Sequence, residues 1–244
     1  MILGTPDSAA RFTDPFQSAG QRCSALRCLY VQEDIAKTMR EMIVGAMNEL
    51  TLGDPWDLST DVGPVVPNAA KDDISGHVDA AKKKGKLIHR VEAPTTGSFV
   101  APALIEVSGI KDLEREVFGP VLHMATFKAK DLDKVIDQVN ATGYGLTFGL
   151  HTRIDDRVQS MADKVKAGNI YANRNQIGAI VGSQPFGGEG LSGTGPKGGG
   201  PNYLTRFTKR AVSSHGEEKA KPIDPARIAS ALSAASPRPA ARSR

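Results

Sequence analysis

Apolar and polar positions follow two periods along this chain, one typical of helices and one of short strands. Apolar residues recur at helical spacing in four segments, which we predict as helices: 34–50, 68–84, 132–140 and 155–165. Short apolar runs between them are predicted as strands: 27–32, 86–90, 99–107, 121–127, 147–152 and 168–173. Strands that alternate with helices of this length predict an α/β fold, with a mostly parallel sheet flanked by helices.

One cysteine lies in a setting that suits chemistry. Residues 18–27 read S-A-G-Q-R-C-S-A-L-R, so that Cys23 is placed among small residues beside an arginine and a serine. A thiol attacks as its thiolate, and a neighbouring cation favours that form. Free cysteine is also among the most buried residue types, so an inert core position is the alternative. The local pattern leaves both interpretations open.

A glycine-rich segment, residues 184–207, reads Q-P-F-G-G-E-G-L-S-G-T-G-P-K-G-G-G-P-N-Y-L-T-R-F. It contains G-x-G-x-x-G from Gly188 to Gly193, the pattern of a dinucleotide-binding turn. A true turn of that kind follows a strand and opens a helix, whereas this one is interrupted by Pro196 and Pro201. We therefore predict that the match is accidental and that these glycines allow close approach of backbone to backbone or to a ligand.

A third motif lies between the other two, E-R-E-V-F-G-P at residues 114–120. In this order the three motifs resemble the aldehyde dehydrogenase superfamily. Within it they are most similar to L-glutamate γ-semialdehyde (Δ1-pyrroline-5-carboxylate) dehydrogenases, especially the C-terminal dehydrogenase module of bifunctional bacterial proline utilisation proteins. The resemblance spans residues 16–207 and implies an aldehyde dehydrogenase-like catalytic domain that acts in proline catabolism.

The resemblance implies a role for each matching residue. Cys23 would attack the aldehyde, a hydride would pass to the cofactor NAD, and water would release the acid from a thioester. Glu116 would hold the hydroxyls of the nicotinamide ribose, and Phe118 would pack beside the nicotinamide. Outside this motif, Glu116 would be interpreted as a solvated acid and Phe118 as an ordinary core ring.

The substrate implied by the resemblance carries an amino-acid head at the end remote from its aldehyde. Ser24 would contact the head's carboxylate, and Gly178 with Ala179 would form an anchoring loop whose N–H groups complete the binding. Small residues allow backbone donors to approach an anion closely. Phe186 would contact the aliphatic stem of the substrate. The alternatives are a serine at the start of a helix, a flexible loop and a core ring.

The chain is predicted to divide into four parts: a leader unlike the family (1–15), a catalytic domain (16–199), an oligomerisation-type segment (200–214) and a disordered basic tail rich in Ala, Ser and Pro (215–244). In the family, the NAD-binding domain and the general base precede the catalytic cysteine, and neither is recognisable before Cys23. We therefore expect a C-terminal fragment that is inactive alone, because losing a general base costs ~10² to 10⁴ in rate.

Two hypotheses remain open from the sequence. The chain is either an enzyme part that works only with its missing N-terminal half, or a non-catalytic remnant that at most binds dehydrogenase subunits. The expected protein partner is a second copy in a homo-oligomer or that missing half. A stand-alone thiol hydrolase using Cys23 is a weaker third, because no histidine lies near the motif.

Charge and composition limit the partners and the cellular setting that can be expected for this chain. The net charge is +4, and its excess lies in Lys209 to Arg244, where eight Lys/Arg face three Asp/Glu. That tail lacks interleaved aromatic residues, so no nucleic-acid partner is expected. The sequence contains no apolar run long enough to predict a membrane span. Two cysteines cannot build a disulfide framework, and this favours a reducing, cytoplasmic setting. The histidines are scattered along the sequence, so we predict no metal site.

Overall fold

The computed structural model describes residues 15–177, 184–193 and 195–208, together with the backbone of two strands at 210–212 and 218–220. The four predicted helices are present: α1 (Ala36–Asn48), α2 (Asn68–Lys83), α3 (Leu132–Asn140) and α4 (Asp155–Lys164). The strands are β1 (Cys28–Gln32), β2 (Leu87–Arg90), β3 (Ala103–Glu106), β4 (Val121–Phe127), β5 (Tyr144–Gly145), β6 (Thr147–Leu150), β7 (Asn169–Ala172), β8 (Glu189–Gly190), β9 (Arg210–Val212) and β10 (Glu218–Ala220). All six predicted strands are among them, and the α/β fold is confirmed.

The main sheet has the strand order β1-β4-β3-β2. β1 and β3 both run parallel to β4, with Cys28 opposite His123 and Ala103 opposite Val121. β2 pairs with β3 in the antiparallel sense, so that the sheet is mixed at this edge. The segment from 91 to 102 forms no helix that could cross the sheet, and a connection of this kind joins antiparallel neighbours.

Helices cover both faces of this sheet. One core cluster contains the buried apolar side chains of α1 and α2, and the other contains those of α3 and α4. Successive residues of β1 enter opposite clusters: Leu29 and Val31 pack with α1 and α2, whereas Cys28 and Tyr30 pack with α3 and α4. This alternation follows from the two-residue period of a strand that is buried on both faces.

A second, smaller sheet is formed by β6 and β7, which are parallel. Phe148 and Leu150 of β6 lie in the same core cluster as α3 and α4. The connection from β6 to β7 contains α4, the crossover helix that a parallel pair requires.

The glycine-rich segment runs close to this smaller sheet. β8 pairs with β5, and the G-x-G-x-x-G pattern around it opens no helix. A Cβ added at Gly168 would lie 1.8 Å from the carbonyl oxygen of Gly187. The predicted close approach of backbone to backbone is therefore present, and the dinucleotide-type turn is not formed by these residues.

The terminal segments are described only in part. β9 and β10 form an antiparallel pair, so a short strand lies at the start of the segment predicted as a disordered tail. Residues 1–14 and 221–244 lie outside the described residues. Among the helices that are described, none combines the length and apolar character needed to cross a membrane.

Candidate active site

Two of the sequence motifs meet at the amino-terminal edge of the main sheet. One immediately precedes β1 and the other immediately precedes β4, and these strands are parallel neighbours. A Cβ added at Gly20 would lie 2.1 Å from the carbonyl oxygen of Gly119, so the two backbones are in direct contact. Ligands of open α/β sheets usually bind at the carboxyl ends of the strands, and this site lies at the opposite edge.

Residues 18–24 are here called the nucleophile loop, after the role that the sequence predicts for Cys23, and the loop starts with an uncommon backbone conformation. Ser18 and Ala19 both have φ of 53°, and Gly20 has φ of 66°. The left-handed conformation costs roughly 1–2 kcal/mol for a residue with a side chain, so the surroundings must hold the loop in place. Gln21 supplies two such contacts: its Oε1 accepts from the Val66 N–H at 2.8 Å, and its Nε2 donates to the Pro64 carbonyl at 3.3 Å.

The two cysteines differ in accessibility. Cys23 is exposed at the end of this strained turn, whereas Cys28 is buried in β1. Burial raises the pKa of Cys28 to about 12. Among the described residues, none accepts a hydrogen bond from the Cys23 backbone N–H. Cys23 is therefore accessible, and its backbone N–H remains available to an incoming oxygen.

We expect a neutral alkylating reagent to distinguish the two thiols. At pH 7.5, iodoacetamide should modify Cys23 at least about tenfold faster than Cys28, because Cys28 is both buried and protonated. Peptide mass spectrometry at timed intervals gives both rates in one sample. Equal rates would contradict the different environments described for the two residues.

Arg27 connects the nucleophile loop to the second motif. Its Nε donates to Glu116 Oε1 at 3.0 Å, and one terminal nitrogen donates to the Gly20 carbonyl at 2.8 Å. Its guanidinium carbon lies 4.7 Å from the centroid of the Phe118 ring. The Glu116 side chain is 55% exposed and Phe118 is 42% exposed, so both remain accessible to a ligand.

Ser24 connects the same loop to the smaller sheet. It is buried, and its carbonyl accepts from Gln176 Nε2 at 3.2 Å and from Thr147 Oγ1 at 3.5 Å. Gln176 is also buried, and its Oε1 has no hydrogen-bond partner among the described residues. Because the Ser24 carbonyl oxygen can only accept, the side-chain amide of Gln176 must direct its nitrogen toward the loop.

The remaining predicted residues lie elsewhere or cannot be placed. Phe186 is half-buried and forms an isolated antiparallel bridge with Gly198. Asn169 of β7 binds both neighbours of Phe186: its Nδ2 donates to the Pro185 carbonyl, and its Oδ1 accepts from the Gly187 N–H. Gly178 and Ala179 lie outside the described residues. The structure thus brings Cys23, Ser24, Glu116 and Phe118 to one edge of the sheet and places Phe186 beside β7.

Sequence reasoning missed several residues that support this edge. Arg27 could have been noticed, because an arginine at the start of a buried strand needs partners for its charge. No sequence signal pointed to the histidine pair behind it. His77 and His123 contact each other through their Nε2 atoms at 2.9 Å, and His123 Nδ1 lies 3.0 Å from the Arg27 carbonyl.

The residues present fit one end of a dinucleotide. An accessible carboxylate at Glu116 can accept hydrogen bonds from ribose hydroxyls, and the exposed ring of Phe118 offers an apolar surface to a planar base. Three or more side chains positioned to bind a metal ion are not found together in the described part of the chain.

Known proteins resemble this chain in both sequence and structure. The model of the aldehyde dehydrogenase family matches residues 8–212. Bifunctional protein PutA of Klebsiella aerogenes is 50% identical over 200 residues, which cover 79% of this chain and 15% of that relative. The 1-pyrroline-5-carboxylate dehydrogenase of a Geobacillus species is 38% identical over 192 residues, which cover 78% of this chain and 37% of that relative.

Solved structures agree with these matches. Proline utilization A (PutA) of Bradyrhizobium japonicum superposes with a TM-score of 0.81 at 50% identity, over 85% of this chain and 22% of that one. A 1-pyrroline-5-carboxylate dehydrogenase from Thermus with bound NAD superposes with a TM-score of 0.77 at 30% identity, over 90% of this chain and 42% of that one. The chain thus spans less than half the length of each of these relatives. With the family model matching most of its residues, the chain belongs to the aldehyde dehydrogenase family.

Proposed function

We propose that this chain is the cysteine-bearing catalytic part of an NAD-dependent L-glutamate γ-semialdehyde dehydrogenase. The observation that carries the proposal is the exposed Cys23, held on a loop whose neighbouring arginine binds both Glu116 and Phe118. The similarity to PutA and to 1-pyrroline-5-carboxylate dehydrogenases supports the choice of substrate.

Each residue has a chemical task in this proposal. The Sγ of Cys23 attacks the aldehyde carbon, and the negative charge that develops on the aldehyde oxygen is stabilised by the Cys23 backbone N–H. A preorganised donor of this kind contributes about 3 kcal/mol to the transition state. NAD, when bound, supplies the hydride acceptor. Glu116 and Phe118 would hold its nicotinamide ribose end. Loss of a hydride from the cysteine thiohemiacetal would leave a thioester, and hydrolysis of that thioester would release L-glutamate and the free thiol.

Substrate selection is assigned to the neighbours of the thiol. Ser24 follows Cys23 directly and is fixed by two hydrogen bonds to its carbonyl, so its position relative to the thiol is well defined. We assign to it, together with Gly178, Ala179 and Phe186, the recognition of the amino-acid head and stem. A carboxylate that receives several donors at a set distance from the thiol distinguishes this aldehyde from simple alkanals.

Protection of Cys23 from alkylation tests the proposal on the chain itself. L-Glutamate γ-semialdehyde should slow the reaction of Cys23 with iodoacetamide, because a thiohemiacetal blocks the sulfur. Ser24→Ala should weaken this protection about tenfold, which is the loss expected for one hydrogen bond to a charged group, and should leave protection by propanal unchanged. Ser59→Ala, at an exposed loop serine, is the matched control.

Two outcomes would count against the assignment. If the semialdehyde gives Cys23 no protection at all, the catalytic role is wrong. If propanal and the semialdehyde protect equally and Ser24→Ala affects both alike, the assigned substrate is wrong while aldehyde chemistry stands.

A non-catalytic role in binding dehydrogenase subunits is the second candidate, and one observation favours it. Within the segment 200–214, Tyr203, Leu204 and Phe207 are 40%, 50% and 72% exposed. Apolar groups clustered on a surface are typical of protein contacts. The first outcome above, with no protection of Cys23, would leave this contact role as the better explanation of the chain, with a second copy or with another part of a dehydrogenase as the partner.

A further inference from the structure

Arg27 is a polar side chain of the candidate site with an unusually large number of hydrogen-bond acceptors around it. Its side chain is only 14% exposed and donates to four oxygens: Glu116 Oε1 at 3.0 Å and the carbonyls of Gly20, Arg22 and Gly119 at 2.8, 3.0 and 3.3 Å. Two of these acceptors belong to the nucleophile loop and two to the segment before β4. The planar, five-donor guanidinium is the side chain that can bind four fixed acceptors at once.

The contacts of Arg27 lie where the loop is most strained. Gly20 ends the run of left-handed residues, and Arg22 directly precedes Cys23. The Arg27 guanidinium therefore binds the backbone on both sides of Gln21 and fixes the position of the peptide group that precedes Cys23. Without these bonds, the Gly20 and Arg22 carbonyls would form hydrogen bonds with water instead. The strain of the left-handed residues would then favour a different loop conformation.

The charge of Arg27 also acts on this site. Burial lowers the pKa of the guanidinium, while Glu116 and Cys23 oppose that change through their negative forms. The group stays cationic because an arginine pKa lies far above neutrality. Its positive charge lies against the face of the Phe118 ring and on the carbonyl of Arg22, the residue that directly precedes Cys23.

We propose that Arg27 is a positioning residue that couples the nucleophile loop to Glu116, so that the thiol and the cofactor-holding carboxylate take up their places together. The inference rests on the proposed function for its catalytic meaning. Arg27 itself contacts neither substrate nor reacting atoms, and it acts through the Gly20 and Arg22 carbonyls on one side and through Glu116 on the other.

Two readouts on the full chain separate charge from geometry. The first is the ratio of Cys23 alkylation rates with anionic iodoacetate and neutral iodoacetamide, which reports a nearby cation. The second is the rate of tryptic cleavage after Arg22, which reports the conformation of the loop. Arg27→Met should lower the ratio about threefold, the effect of one partly screened charge, and should accelerate the cleavage several-fold. Arg27→Lys should preserve the ratio and still accelerate the cleavage, because a lysine keeps the charge and loses the fork.

The matched control is Arg115→Met. Arg115 belongs to the same motif as Glu116 and forms a two-point ion pair with Asp73, but it is exposed and does not touch the nucleophile loop. It should change neither readout. If Arg27→Met leaves both readouts at their wild-type values, Arg27 positions nothing.

Glu116→Gln tests the coupling without removing the arginine. The two residues are 89 positions apart, and the Glu116 side chain is half exposed, so this variant should fold. Faster cleavage after Arg22 in Glu116→Gln would show that the carboxylate supports the loop, and an unchanged rate would overturn the coupling. Neither readout needs an aldehyde, so failure of the semialdehyde to protect Cys23 would reject the proposed function and leave this inference to be decided separately.

Discussion

Gly20→Ala is expected to lower the free energy of unfolding by about 3 kcal/mol, the sum of a strained backbone and an overpacked contact. Gly20 has φ of 66°, and its Cβ would lie 2.1 Å from the Gly119 carbonyl oxygen and 2.8 Å from the Pro15 carbonyl oxygen. Neither oxygen can move without moving its backbone. Urea denaturation followed by circular dichroism measures the loss, and alkylation of Cys23 should change with it because the same loop carries the thiol.

A second glycine separates the two causes. Gly85 has φ of 68°, but a Cβ added there would meet nothing within 4 Å. Gly85→Ala should therefore cost only about 1 kcal/mol, the conformational part alone. Equal losses in the two variants would mean that the two motifs are not in tight contact at Gly20, which would remove the basis for placing the nucleophile loop against the segment that carries Glu116.

Acidification is expected to destabilise the protein between pH 6.5 and 4 through His123. Burial lowers the pKa of His123 to about 4, the charges of His77 and Arg27 add to this, and the hydrogen bond to the Arg27 carbonyl opposes it. Across this range the unfolded chain binds the proton and the native protein does not, so stability falls as the pH falls. The full difference corresponds to about 3 kcal/mol, and below pH 4 this group causes no further loss.

The geometry of the histidine pair explains why the pKa of His123 is lowered. A carbonyl only accepts, so His123 Nδ1 carries the proton that binds Arg27, and its Nε2 accepts from His77. A second proton on His123 would have to bind Nε2, which already accepts the hydrogen bond from His77. The pKa of His77 is also lowered, first by burial and then by Arg115 and Lys84, with Asp73 opposing.

His123→Asn is the variant that tests this. The asparagine amide can still donate to the Arg27 carbonyl but does not titrate, so the slope of stability against pH between 6.5 and 4 should become shallower than in the wild type. His89→Asn, in the outer strand β2, removes a histidine that does not belong to this pair and is the control. An identical pH dependence in His123→Asn and the wild type would rule out His123 as the acid-sensitive group.

The sequence predicted the elements well because each one buries a regular face. α1 buries Met39, Ile43 and Met47, which recur every four residues, and this spacing is visible without knowing what the helix packs against. The edge of the sheet at which two motifs meet also follows from local features, once β1 and β4 are recognised as parallel strands that both start just after a motif.

Pairings between distant segments could not be predicted in this way. The antiparallel addition of β2, the histidine pair and the bond from Gln176 to Ser24 depend on which surfaces meet in three dimensions. Periodicity describes the face that an element buries and carries no information about its partner. The role of Arg27 belongs to the same class, because its importance comes from four acceptors in separate parts of the backbone.

The supports of Ser24 also bear on the order of folding. Thr147 and Gln176 follow Ser24 by 123 and 152 positions. During synthesis Cys23 therefore leaves the ribosome long before the residues that fix its neighbour, and closing loops of this length is slow and entropically costly. Cys23 is consequently made well before Thr147 and Gln176, and its complete surroundings form only once both of these residues are in place.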